Sequence, residues 1–332
     1  MMTEKRTGFR QHSVVLDEEA CKGCTICVTT CPAEAIRVRD GKARIMEDRC
    51  IDCGECIRRC PHHAKKARAD DVALLAELID SGTYDHIVAL PAPSLYGQFP
   101  ERYSIADIHE ALLALGFDDV FPVAEATPAI AAETRALLDR NRHPELPRPL
   151  ISSSCPTIIK FIQIRFPMLL DSIVPVIAPM ELAARLARQR SAARIRKSEG
   201  KANPRIGVFF ISPCAGKITE VVSPIGNEQS SIDGVFSMKD IHLPLLTALG
   251  RPKPAAHGRI SVPEEIAWGH AGGEAEATIA SSGYTWLAVD GMDQCTRILE
   301  SVEEGKLADV DFLELMACTG GCVGGPLVVE NP

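Results

Sequence analysis

Cys21-Lys-Gly-Cys24-Thr-Ile-Cys27-Val-Thr-Thr-Cys31-Pro32 is repeated 29 residues on as Cys50-Ile-Asp-Cys53-Gly-Glu-Cys56-Ile-Arg-Arg-Cys60-Pro61. Each copy reads C-x2-C-x2-C-x3-C-P, and together they hold eight of the chain's 13 cysteines. An odd count in 332 residues argues against a disulfide-stapled secreted protein. Residues 1–23 carry charges of both signs and no apolar signal-peptide core, and no uncharged apolar run is long enough to span a membrane. A reducing, cytoplasmic setting is expected, where dense cysteine points to metal. The chain is 46% hydrophobic and 24% charged with a net charge of −8. That is a globular composition, and it offers no basic field for nucleic acid.

The duplicated run resembles that of bacterial two-cluster ferredoxins, in which the fourth cysteine ligates the other cluster. The resemblance implies one 4Fe–4S cluster on Cys21, Cys24, Cys27 and Cys60, and a second on Cys50, Cys53, Cys56 and Cys31. The spacing has a physical sense. Three thiolates two residues apart wrap three corners of a cube, the fourth leaves on the following helix, and the proline turns the chain away. Zinc knuckles also use C-x2-C, but not two copies of this longer run. Residues 35–39 and 42–46 alternate as short strands about Asp40-Gly41, a hairpin turn. Two cubes in series form a wire for single electrons, so a redox site is expected elsewhere in the chain.

The ferredoxin-like unit is expected over residues 1–71, followed by a linker with an apolar-rich helix over 72–85. From 86 to 332, strands near 86–91, 120–123, 150–152, 206–211 and 286–289 alternate with helices near 105–115, 129–140, 157–166 and 180–197. Alternation of this kind predicts an α/β domain with a largely parallel sheet.

Four further cysteines sit at strand ends or glycine-rich turns: Ser152-Ser153-Ser154-Cys155-Pro156, Ser212-Pro213-Cys214-Ala215-Gly216-Lys217, and Glu314-Leu315-Met316-Ala317-Cys318-Thr319-Gly320-Gly321-Cys322-Val323-Gly324-Gly325. Ligands collect at the carboxyl ends of strands in open α/β sheets. Four thiols are the number a 4Fe–4S cube needs. Any one of these cysteines taken alone reads better as a buried structural thiol.

This set resembles the three motifs of FeFe hydrogenases, T-S-C-C-P, P-C-x-x-K and E-x-M-x-C-x-x-x-C followed by glycines. The resemblance implies a two-lobed α/β H-cluster domain preceded by an α+β bacterial-ferredoxin-like domain. It implies an H-cluster, a 4Fe–4S cube joined to a two-iron unit with CO, cyanide and a bridging azadithiolate. Cys155, Cys214, Cys318 and Cys322 would hold the cube, with Cys322 shared with the two-iron unit. Lys217 would donate to one cyanide, and Ser94 with the Ala92–Pro93 backbone would serve the other. Met316 would pack by the bridging CO, with Ser212 and Met180 also beside the cofactor. The activity implied is reversible heterolysis of H2 to two protons and two electrons. The partners implied are H2 and protons, maturation proteins, and a redox partner such as a ferredoxin or a signalling domain.

The sequence departs from this family on the proton path. Ser154 stands where the relay cysteine of T-S-C-C-P belongs, and a hydroxyl is far less acidic than a thiol. Glu133 matches the first glutamate of the path, whereas Val174 and Ala136 replace its serine and second glutamate. Ser212 replaces a methionine and Met180 a glutamine. Retained ligands with a broken relay are similar to the sensory, low-turnover type, so slow H2 turnover serving sensing or redox signalling is expected. Two alternatives stand: a fast metabolic hydrogenase with another proton route, and a non-catalytic iron–sulfur assembly or electron-transfer protein of the same fold. Cys295 fits no cluster pattern and reads as packing. Arg185, Arg188, Arg190, Arg194, Arg196 and Lys197 form a basic run on one helix, read as a solvated face or a docking face for an acidic partner.

Overall fold

Each cysteine run turns through a left-handed residue, Thr25 (φ 67°) and Gly54 (φ 76°), before a single turn of helix. That reversal carries the chain around its cysteine loop. The computed structural model describes residues 12–250, 263–279 and 282–330. The ferredoxin-like part comprises β1 (Val14–Leu16), α1 (Ile26–Thr29), β2 (Ile36–Arg39), β3 (Lys42–Ile45), α2 (Glu55–Arg58) and β4 (Lys65–Ala67). β2 and β3 form the expected hairpin, in antiparallel register from Ile36↔Ile45 to Arg39↔Lys42. Asp40 (φ 50°) and Gly41 (φ 70°) both take the positive φ that a two-residue hairpin turn requires. β1 pairs antiparallel with β4.

Then follow α3 (Ala73–Ser81), β5 (His86–Pro91), α4 (Ile105–Ala114), β6 (Asp119–Val120), α5 (Thr127–Leu138), β7 (Leu150–Ile151), α6 (Pro156–Arg165), α7 (Pro179–Glu199), β8 (Ile206–Ser212) and α8 (Ala215–Val222). The last elements are β9 (Gly234–Ser237), α9 (Met238–Leu249), α10 (Pro263–Ile266), α11 (Gly273–Ile279), β10 (Trp286–Asp290), α12 (Met292–Glu303) and β11 (Phe312–Met316). Two parallel sheets result, ordered β6-β5-β8-β9 and β10-β11-β7. β5 and β8 are buried along their whole length, which explains their unbroken apolar runs. One core gathers Val88, Leu90, Phe209 and Phe236 around the larger sheet, and another gathers Phe161, Leu313, Leu315 and Cys295 around the smaller. The molecule is thus a two-lobed α/β unit preceded by a small α+β ferredoxin-like unit.

The basic run on α7 is largely exposed, and part of it is also engaged within the chain. Arg188 donates to Asp233 at 2.7 Å, Arg190 pairs with Glu125 at 3.3 Å and Arg194 with Asp119 at 3.3 Å. These ties pin α7 to β6 and to the loops of the larger sheet. Among the described residues, no helix is long and apolar enough to cross a membrane.

Candidate functional site

Three parallel strands end at one place. β7 runs into Ser152–Cys155, β8 into Pro213-Cys214, and β11 into Ala317-Cys318 and the glycine-rich turn; β5, beside β8, adds Ala92 and Pro93. The two sheets therefore deliver their carboxyl ends to a shared cavity, the place where such sheets bind ligands. The cavity encloses about 880 Å³, its open side included, and Cys155, Cys214, Cys318, Cys322, Lys217 and Met316 line it. Ala92, Pro93, Met180 and Ser154 line it too.

Local sequence explains the convergence. Pro156 opens α6 directly after Cys155, which fixes that thiol at a helix start. Cys214 holds the same position before α8, and its turn is tied by Ser212, whose Oγ accepts from the Cys214 N–H at 3.1 Å. Gly325 lies so close to β8 that a Cβ there would sit 2.4 Å from the Pro213 carbonyl oxygen. Gly321 has φ 89°, and a Cβ on it would meet the Ala271 nitrogen at 2.6 Å. Only glycine permits those approaches.

Burial governs the electrostatics. It pushes the Cys214 thiol up to about 12, Cys322 up to about 11, and Cys318 well above its ordinary value. Such thiols stay neutral unless a metal takes the place of their protons. Four soft sulfur donors converging on one largely apolar cavity suit an iron–sulfur cube, which takes them as thiolates. Lys217 is buried beside them; its Nζ donates to the Ser154 carbonyl at 3.1 Å and lies 3.7 Å from Glu220 Oε2. Burial alone would pull this ammonium down, but the Glu220 carboxylate and the nearby sulfurs outweigh it and hold the pKa up.

Three predicted residues do not join this lining. Ser94 is buried, but its hydroxyl points to Met238 Sδ at 3.8 Å. Ser212 is spent on the Cys214 turn. Glu133 lies exposed on α5, outside the lining, because it falls on the outward face while Ile130, Ala131 and Thr134 face in. The carboxylate bonded to Ser154 is instead Glu274, on α11, which also accepts from Ser152 Oγ at 2.6 Å. Glu314, in the middle of β11, lies near it and accepts from the N–H groups of Gly272 and Ala275 at 2.9 and 2.8 Å. Burial, then Glu274, pushes Glu314 up to about 8. Spacing gave no sign of Glu274, which lies 120 residues from Ser154. Glu314 opens the last motif, and its position there was the one available signal.

The ferredoxin-like part holds two smaller cavities. Cys21, Cys24, Cys27 and Cys60 line one, and Cys31, Cys50, Cys53 and Cys56 the other. Each run thus contributes its fourth cysteine to the other run's cavity. Cys31 Sγ accepts from Ala35 N–H at 3.2 Å and Cys60 Sγ from Ala64 N–H at 3.4 Å, the same bond in both copies. Cys295 is fully buried on α12, its Sγ 3.4 Å from the Met316 carbonyl, as a packing thiol should be.

Comparison with known proteins agrees with this geometry. Residues 85–248 and 264–326 match the model of the iron only hydrogenase large subunit, C-terminal domain, and residues 13–61 match a 4Fe-4S dicluster domain. The chain is 23% identical to the NADP-reducing hydrogenase subunit HndD of Solidesulfovibrio fructosivorans, over 93% of its own length and 56% of that protein's. It is 22% identical to Iron hydrogenase 1 of Clostridium pasteurianum, over 72% and 49%. The chain therefore spans about half the length of the curated relatives it matches. An FeFe-hydrogenase structure from Chlamydomonas reinhardtii superposes with TM-score 0.57 at 18% identity, covering 79% of this chain and 85% of that one. Another, from work on oxygen inactivation of the H cluster, gives TM-score 0.60 at 18% identity, covering 78% and 83%. With a 4Fe-4S dicluster segment in front of it, the chain belongs to the iron-only, or FeFe, hydrogenase large-subunit family.

Proposed function

We propose that this chain binds an H-cluster and splits H2 reversibly, slowly enough to serve hydrogen sensing or redox signalling. The observation that carries it is the buried Lys217 ammonium beside four convergent thiols, with Ser154 at the relay position. Cys155, Cys214, Cys318 and Cys322 would hold the cube, with Cys322 shared. When bound, the cluster supplies the chemistry that converts H2 to two protons and two electrons. Lys217 supplies a charge-assisted donor for an anionic ligand in the cavity. Ala92 and Pro93 form part of the cavity wall, Met180 and Met316 would exclude water, and Ser154 would hold a proton between the cavity and Glu274. The two ferredoxin cubes would carry electrons onward. Residues 1–71 form the ferredoxin-like unit in this reading, 72–85 the linker and 86–332 the H-cluster unit.

Ser154 supports slow turnover, because its hydroxyl gives up a proton far less readily than a thiol. A second reading, turnover by another proton route, is favoured by one observation: Ser154 is bonded to Glu274, and Glu314 adjoins it. Infrared spectra of the chain loaded with the two-iron unit test the proposal. Metal-bound CO and cyanide bands are expected, and their absence leaves only a non-catalytic iron–sulfur protein. Turnover of loaded wild type matching fast hydrogenases would overturn the slow, sensing reading.

A further inference from the structure

Lys65 carries a buried amino group that meets no hydrogen-bond partner among the described residues. Its side chain is 3% exposed on β4, opposite Leu16 of β1, and its Nζ has no hydrogen-bond partner among the described residues. An unpaired buried ammonium is costly unless something nearby returns the energy. Lys65 lines the cavity of Cys21, Cys24, Cys27 and Cys60, the outer one, where Cys24 is exposed. Lys22 lines it as well, and no carboxylate does.

The inner cavity, lined by Cys31, Cys50, Cys53 and Cys56, has the opposite character. Asp52 and Glu55 line it, and no lysine or arginine does. Both acids are partly compensated: Lys160 Nζ lies 3.4 Å from Asp52, and Arg58 and Arg59 lie 3.2 and 3.5 Å from Glu55. His12 also stands within 4.8 Å of Asp52 and Cys50. Lys65 reaches toward this side too, since it opposes the effect of burial on Cys56 as well as on Cys27. The asymmetry is therefore one uncompensated buried cation, placed in the wall of the outer cavity.

A 4Fe–4S cube on four thiolates is an anion, and it gains one more negative charge on reduction. Potentials of such cubes follow local charge and hydrogen bonds. We propose that Lys65 is the counter-ion of the outer cube and sets its reduction potential above that of the inner cube. One electron then passes from the inner cube, which is oxidised, to the outer cube, which is reduced, down a step built into the fold. The step favours electrons leaving the catalytic cavity toward the exposed Cys24 end. The inference rests on the reading above that both runs carry cubes.

The test is a redox titration of the full reconstituted chain followed by electron paramagnetic resonance. Iron content and the spectra of reduced cubes come first; a wild type that builds no ferredoxin cubes overturns the reading beneath the proposal, before any potential is measured. A Cys24→Ser variant identifies the outer cube by its altered spectrum. In wild type that cube should reduce at the higher potential. Lys65→Met should shift its oxidised-to-reduced ratio at fixed potential about tenfold toward oxidised, ~59 mV for one electron, with a smaller shift at the inner cube. Lys65→Arg should stay near wild type. Should Lys65→Met lose the outer cube, Lys65→Gln gives the same comparison. An outer cube that titrates below the inner one, or that is unmoved by loss of the charge while its iron is intact, overturns the proposal.

Discussion

Asp52 Oδ2 accepts from Thr219 Oγ1 at 2.8 Å, across 167 residues of sequence. Asp52 lies between Cys50 and Cys53 of the ferredoxin-like unit, and Thr219 lies two residues beyond Lys217 on α8. The same carboxylate accepts from Ser13 N–H at 2.9 Å and pairs with Lys160 of α6 at 3.4 Å. One buried acid thus seats the ferredoxin-like unit against both helices that begin at cavity cysteines. Gly54 adds to the seat, since a Cβ there would overlap Pro326 at 2.5 Å.

Asp52→Ala should therefore loosen the seat. Removing one side of a buried ion pair costs about 3–5 kcal/mol, and here Thr219 and Lys160 both lose their partner. Denaturant unfolding should show the loss, together with a lower slope if the ferredoxin-like unit detaches first.

Lys217→Met should weaken retention of the two-iron unit. A buried charge-assisted hydrogen bond is worth about 1.5–3 kcal/mol, or roughly ten- to a hundredfold in binding. The infrared cyanide and CO bands should lose intensity, while the iron of the cubes stays. Equal intensity in both proteins would show that Lys217 is not the donor.

Ser154→Cys should speed turnover, because a thiol of ordinary pKa about 8.5 relays protons that a hydroxyl does not. General acid–base groups are worth about a hundred- to ten-thousandfold, so a gain of at least about tenfold is expected. Glu274→Gln should cost a similar factor if the Ser154–Glu274 bond carries protons, with the infrared spectrum unchanged. Full activity in Glu274→Gln excludes that route.

Stability should fall with rising pH through the buried acid pair. The folded pKa of Glu314, about 8, lies above the ordinary 4.5, so the fold favours its protonated form. This contribution is fully present below pH 4.5 and is lost as pH rises through about 8. Its size is on the order of a few kcal/mol, shared with Glu274, whose carboxyl burial also raises. Glu314→Gln should flatten the pH dependence of the unfolding midpoint between those limits.

Much of this molecule was legible in the order of its residues. The two cysteine runs state their own ligand loops, because three thiols at two-residue spacing can wrap a cube only locally. The apolar runs of β5 and β8 announce strands buried on both faces. Cys155, Cys214, Cys318 and Cys322 could be grouped because each sits in a strand-end turn of recognisable composition, and Lys217 because it lies one helical turn from Cys214.

What stayed hidden was everything set by distance across the fold. Glu133 matched by position along the chain, yet the rotation of α5 turns it to solvent, a matter of which helix face meets the core. Glu274 reaches Ser154 only because α11 is laid beside the end of β7. Lys65 belongs to no motif of the sequence, and only the packing of β4 against β1 strips it of water. The sequence by itself determined which donors exist and how they are spaced within each turn, since thiol chemistry and local backbone geometry are short-range. The tertiary structure decided which carboxylate meets the Ser154 hydroxyl and which charged side chains are buried, because burial and electrostatic pairing depend on surfaces brought together from far along the chain.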